Sequence, residues 1–171
     1  MAKSYKLTLA LFAATAAIFC FSQHASAQVA FIGAPGFPNA SAMSFPARID
    51  PKIDRHLVAA AEIADRQAEP HGGMLCWKYV KNALVSAGAV RTRPTSAHAC
   101  QAGVELVFQH GFVKLPVRDP LDAPLGSVIV YGGPGSGHVE IRTANGYVSD
   151  FRSAHPCRYP MLGIYAKLGS S

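Results

Sequence analysis

Between residues 50 and 111 the apolar positions recur every three or four residues, and beyond residue 112 they alternate. Ile53, Leu57, Ala61 and Ala64 share one helical face. Asp50 is a suitable N-cap for that helix, Pro51 a suitable first residue, and Pro70 a stop. After Gly72-Gly73, the stretch MLCWKYVKNALVSAGAV places Cys76, Val80 and Leu84 on one face and ends at Gly88. A third helix is expected from Thr95 or Ser96 to Gly111, with Cys100, Val104 and Val107 inward. Strands are expected over residues 112–115, 127–131, 138–143, 147–151 and 162–168. Helices first and strands afterwards predict a single α+β domain over residues 49–171, its helices packed on a small antiparallel sheet.

The segment before that domain changes the picture of where the chain works. Lys3 and Lys6 precede LTLALFAATAAIFCF, which is short for a membrane span, and Ala25-Ser26-Ala27 supplies small residues at the positions a signal peptidase reads. Residues 1–27 therefore read as an export signal cleaved before Gln28, with the mature chain periplasmic or secreted and carrying no stable membrane anchor. Residues 28–48, rich in Pro, Gly, Ala and Ser, read as an extended or disordered leader. Loss of Lys3 and Lys6 takes the formal charge from +6 to +4. Such a balance favours anionic polymers or surfaces. The basic residues are scattered, which argues against nucleic-acid binding. A monomer is expected.

Cys20 would leave with the signal, so Cys76, Cys100 and Cys157 remain. In an oxidising compartment two thiols tend to pair and the odd one stays free. Cys76 stands in the opening turn of a predicted helix, where unpaired N–H groups and the helix dipole stabilise a thiolate. Lys78 and Lys81 add positive potential unless they point to solvent. Taken alone, Cys76 also fits a small buried hydrophobe or half of a disulfide.

Its candidate partner is a histidine, the usual group that exchanges a proton with a cysteine nucleophile. His138 opens a strand whose apolar alternates are Val139 and Ile141, so His138, Glu140 and Arg142 project from the other face. The preceding loop, Gly132 to Gly137, lacks the lysine of a phosphate cradle, and Pro134 breaks a serine elbow. It reads as a flexible connection that lets backbone approach a ligand. A two-residue Asn145-Gly146 turn would put Ser149, Phe151 and Ser153 on the histidine's face. A three-residue turn over residues 144–146, with Gly146 left-handed, would put Asp150 there instead. In that second register Asp150 would orient the imidazole, with Glu140 as rival for the role or as a substrate contact.

Cys76 heading a helix that carries Tyr79 and Val80, followed by the Gly-His-Val-x-Ile strand, resembles the CHAP amidase and NlpC-like cell-wall peptidases. The resemblance spans roughly residues 70–151. It implies a papain-like fold and a Cys76–His138–Asp150 triad, because the NlpC-like third residue falls twelve positions after the histidine. It also implies hydrolysis of an amide bond in peptidoglycan, with no cofactor and no metal, and leaves room for an inhibitor protein as partner. Leu75 and Trp77 replace the residues that flank the cysteine in NlpC-like members, and Gly126-Ser127-Val128 replaces Gly-Asp-Val. With Cys76 free for chemistry, Cys100 and Cys157 become the expected disulfide. A zinc site from Cys100, Cys157, His98 and His155 competes with it. A catalytically silent wall-binding or partner-binding module, and acyl transfer to an amine, are the other functional readings.

Overall fold

The computed structural model describes residues 47–169; the expected export signal and nearly all of the expected leader lie outside them. Three helices occur in the order expected: α1 (Arg55–Gln67), α2 (Cys76–Ser86) and α3 (Ala102–His110), the last preceded by a 3-10 turn (Ala99–Gln101). The strands are β1 (Val113–Lys114), β2 (Val128–Tyr131), β3 (His138–Thr143), β4 (Gly146–Val148), β5 (Arg152–Ser153) and β6 (Met161–Ala166). They form one antiparallel sheet in the order β1-β6-β2-β3-β4-β5.

Two apolar layers flank this sheet. Leu57, Ala61, Val80, Leu84 and Leu106 of the helices pack on Val128, Val130, Val139, Ile141 and Val148. On the opposite face lie Ile129, Tyr131, Tyr147 and Ile164 with Ala123, and Cys157 and Met161 pack against them. Alternation along β2 and β3 thus serves two cores, which is why β2 is buried at every position.

The helix boundaries show what competes with periodicity. α1 starts at Arg55, because Asp54 accepts the His56 N–H at 2.9 Å and acts as the cap. Asp50 and Pro51 belong to a preceding turn, closed by the Ile53 N–H donating to the Asp50 carbonyl. In α3 the inward residues are Ala102, Glu105 and Leu106, while Val104 and Phe108 are exposed. Glu105 turns this face inward by accepting from the N–H and hydroxyl groups of Thr95 and Ser96. Those bonds outweigh burial and hold its carboxyl near pKa 2.

The expected disulfide is not formed: Cys76, Cys100 and Cys157 are all free. The sheet separates the intended pair. Cys100 sits in the 3-10 turn of the helical layer, its N–H donating to the Ser136 carbonyl. Cys157 packs against the other face, with its N–H directed at Glu140. Nor do Cys100, Cys157, His98 and His155 share a centre; among the described residues no group of three or more ligating side chains could hold a metal. Thiol titration of unreduced, denatured protein lacking residues 1–27 should therefore count three thiols per chain. A count of one would restore the Cys100–Cys157 bond.

Candidate active site

α2 begins at Cys76, with Leu75 as its N-cap and no side-chain cap. The cysteine therefore occupies the first helical turn, where backbone donors lack helical acceptors. His138 opens β3 opposite Tyr131 of β2. The close turn before it requires glycine: Gly137 has φ +70°, and a Cβ there would lie 2.5 Å from the Tyr131 carbonyl and 2.9 Å from Cys100 Cβ. That constraint fixes where the imidazole leaves the strand.

His138 lines one cleft with Cys76. Its Nε2 lies 3.5 Å from Glu140 Oε2, long for a hydrogen bond but within reach of an ion pair. Burial disfavours the imidazolium, yet the hydrogen bonds and negative charge of Cys76 and Glu140 outweigh it and raise the imidazole pKa to about 10. The ring therefore holds a proton beside the sulfur across the neutral range.

Glu140 is only 3% exposed. Its Oε1 accepts from the Tyr131 hydroxyl at 2.5 Å and from the Cys157 N–H at 3.3 Å, leaving Oε2 toward the ring. Tyr131 was not singled out from the sequence. The available signal was a tyrosine ending an otherwise apolar strand, since a buried phenol needs a polar partner.

Asp150 lies on the other side of the arrangement. Neither expected register occurs: Thr143 pairs with Gly146, so Ala144-Asn145 forms the turn, and Ile141 pairs with Val148. That pairing puts Asp150 on the helix-facing side of the sheet. Its Oδ2 accepts the N–H groups of Gly73 at 2.7 Å and Leu75 at 3.0 Å, and its Oδ1 accepts the Ser149 hydroxyl at 3.1 Å. Burial opposes the carboxylate, but these donors hold its pKa below the ordinary value.

The clamp has a backbone consequence. Met74, between the two bonded amides, has φ +60° and is the only non-glycine residue with positive φ among the described residues. Its side chain is 98% exposed at the cleft mouth. Asp150 thus sets the path of the chain directly before Cys76. Asp150→Ala would leave two amides without an acceptor and should destabilise the domain by about 2–4 kcal/mol in chemical denaturation. Because the folded-state pKa is depressed, this stabilisation is present above the ordinary carboxyl pKa and disappears as pH falls through the lowered one. Acid unfolding of the wild type should show that loss, and Asp150→Ala should be less sensitive to pH in the same window.

Cys76, His138 and Asp150 line one cleft with Gly72, Met74, residues 134–137, Phe151 and Tyr159, of about 530 Å³. Larger hollows of about 860 and 590 Å³ flank residues 114–118 but contain neither Cys76 nor His138, so chemistry rather than size selects the smaller one. Lys81 does not face this cleft. Its ammonium donates to the Ser96 carbonyl at 2.6 Å and lies over Trp77, 4.9 Å from the ring centroid.

Three helices on a six-stranded antiparallel sheet make this an α+β domain of papain-like fold. No protein-family model and no curated protein matches the chain. Among solved structures it is similar to a chain of the type VI native effector–immunity complex Tae3–Tai3 from Ralstonia pickettii. That match has 22% identity, a TM-score of 0.51, and covers 65% of this chain and 98% of the other. A selenomethionine form of the same complex matches with 26% identity and a TM-score of 0.45, covering 55% and 80%.

Proposed function

We propose that the protein is an exported cysteine hydrolase that cleaves an amide bond in peptidoglycan. The observation that carries this reading is that Cys76, at the mouth of α2, and His138, at the head of β3, line one cleft. The fold-level likeness to an effector–immunity complex supports an antibacterial setting and an inhibitor protein as partner. Residues 1–27 support export to the periplasm or beyond.

In the proposed reaction the Cys76 sulfur attacks the carbonyl carbon and forms an S–C bond. The backbone N–H of Cys76 stabilises the developing oxyanion. His138 gives its proton to the departing amine as the C–N bond breaks, leaving a thioester. It then accepts a proton from water, whose oxygen attacks the thioester and releases Cys76 with a carboxylic acid product. Glu140, against His138 Nε2, takes the orienting role that the sequence offered to Asp150. Asp150 instead fixes the backbone leading into Cys76.

Purified sacculi incubated with the protein test this, with muropeptides resolved by mass. New fragments carrying one added water per cleaved amide are the expected product. Intact sacculi under conditions where the protein is folded would exclude the hydrolase. Fragments joined to an added amine would assign acyl transfer instead.

A further inference from the structure

Beneath the imidazole lies a polar cluster sealed from solvent that the proposed chemistry does not itself touch. Tyr131 is 1% exposed and Glu140 is 3% exposed. A carboxylate so buried needs donors to remain charged. Glu140 Oε1 receives two: the Tyr131 hydroxyl at 2.5 Å and the Cys157 N–H at 3.3 Å. The first is short enough for a charge-assisted bond between a phenol and a carboxylate. Burial and the Glu140 charge raise the Tyr131 pKa, so the phenol stays a donor. Tyr131 is also the residue that β2 places opposite His138, with ring centroids 6.1 Å apart.

We infer that Tyr131 is a positioning residue: its hydroxyl fixes one carboxylate oxygen of Glu140 and so aims the other oxygen at His138. This deepens the cysteine-hydrolase reading and rests on it for its kinetic consequence. Around Glu140 the charged and titratable neighbours are His138 on its own strand, Tyr131 on β2, Tyr147 on β4 and Cys157 from the covering loop. Arg142 stacks over Tyr147 at 4.5 Å and bonds the Gly146 carbonyl. Tyr131 therefore supplies the side-chain hydroxyl donor to Glu140 among these groups.

Without that hydroxyl, Oε1 keeps only the longer Cys157 bond, and the carboxylate is no longer held in one orientation toward the ring. It then stops holding the proton on the ring. Tyr131→Phe retains the aromatic body and removes one oxygen. The expected result is a fall of the His138 imidazole pKa by about one unit or more, read by NMR titration. The same variant should show kcat about tenfold lower with KM little changed, and the alkaline limb of its pH–rate profile displaced to lower pH.

Glu140→Gln should shift the titration further, and adding Tyr131→Phe to it should change neither titration nor kcat, because the two act as a unit. Should Tyr131→Phe fold poorly, the wild type answers directly: a phenolic proton in this bond should resonate well downfield of the amides and vanish in Glu140→Gln. An unmoved His138 titration in folded Tyr131→Phe, additive effects in the double variant, or no such proton overturns the proposal. A moved titration in a protein that leaves sacculi intact would uphold the Tyr131 role and overturn only the hydrolase reading.

Discussion

Replacing Cys76 with Ala is expected to lower amide hydrolysis by about 10⁴-fold or more, as loss of a nucleophile does in enzymes of this logic. The fold should survive, because Cys76 is only partly buried and packs at the margin of the helical core. Sacculus digestion by wild type and variant, with melting curves of both, checks the two halves of this expectation. His138→Ala should cost nearly as much, and the double variant little more than either alone. In the proposed reaction sulfur and imidazole perform one proton exchange, so removing either removes the step. Full activity in Cys76→Ala would require a different nucleophile.

The second large effect belongs to Glu140. Glu140→Gln keeps the side chain's size but removes its charge, and hydrolysis should fall by about 10² to 10⁴-fold, the range seen when an orienting carboxylate is neutralised. The pH dependence distinguishes this from a packing fault. In the wild type the ring pKa is raised to about 10 by Cys76 and Glu140 against the opposing effect of burial. The proton needed by the leaving amine should therefore persist well into the alkaline range. With Glu140 neutral, its share of that pull is gone, and the alkaline limb should move toward the ordinary histidine value.

The stability consequence has the matching sign. A raised folded-state pKa contributes stability that is complete below the ordinary histidine pKa and is lost as pH rises through about 10. Alkaline unfolding should thus begin later in wild type than in Glu140→Gln. Equal pH profiles for the two proteins would remove Glu140 from the mechanism.

Much of the candidate site's placement was legible because it lies where short-range rules are strong. A cysteine after Gly-Gly at the start of an amphipathic stretch is a local feature, and α2 does begin at Cys76. The alternation that starts at His138 likewise fixed the ends of β3, which runs to Thr143 as expected. The α+β order of elements followed from the change of period near residue 112.

What escaped the sequence depends on contacts between distant residues. Gly146 reads as a left-handed turn residue, yet it pairs with Thr143 inside the ladder. Its φ of +133° keeps the positive-φ backbone expected of it, and its missing side chain also serves a close approach, since a Cβ would lie 2.4 Å from the carbonyl oxygen of Ser153 on β5. That one-residue difference in register moves Asp150 off the histidine's face and onto the amides before Cys76. Cysteine counting carries no information about sheet faces, so pairing Cys100 with Cys157 ignored the sheet between them. Of the residues expected inward on α3, Val107 packs against the core but Val104 is exposed, because the face follows Glu105 and its four donors.

The pairing of Cys76 with His138 is tested most directly by alkylation of the three free thiols with iodoacetamide, followed by peptide mapping over time. Cys76 should be modified first across the neutral range, and its rate should drop in His138→Ala while those of Cys100 and Cys157 stay unchanged. Preferential reaction at Cys100 or Cys157, or a Cys76 rate indifferent to His138, would contradict the account.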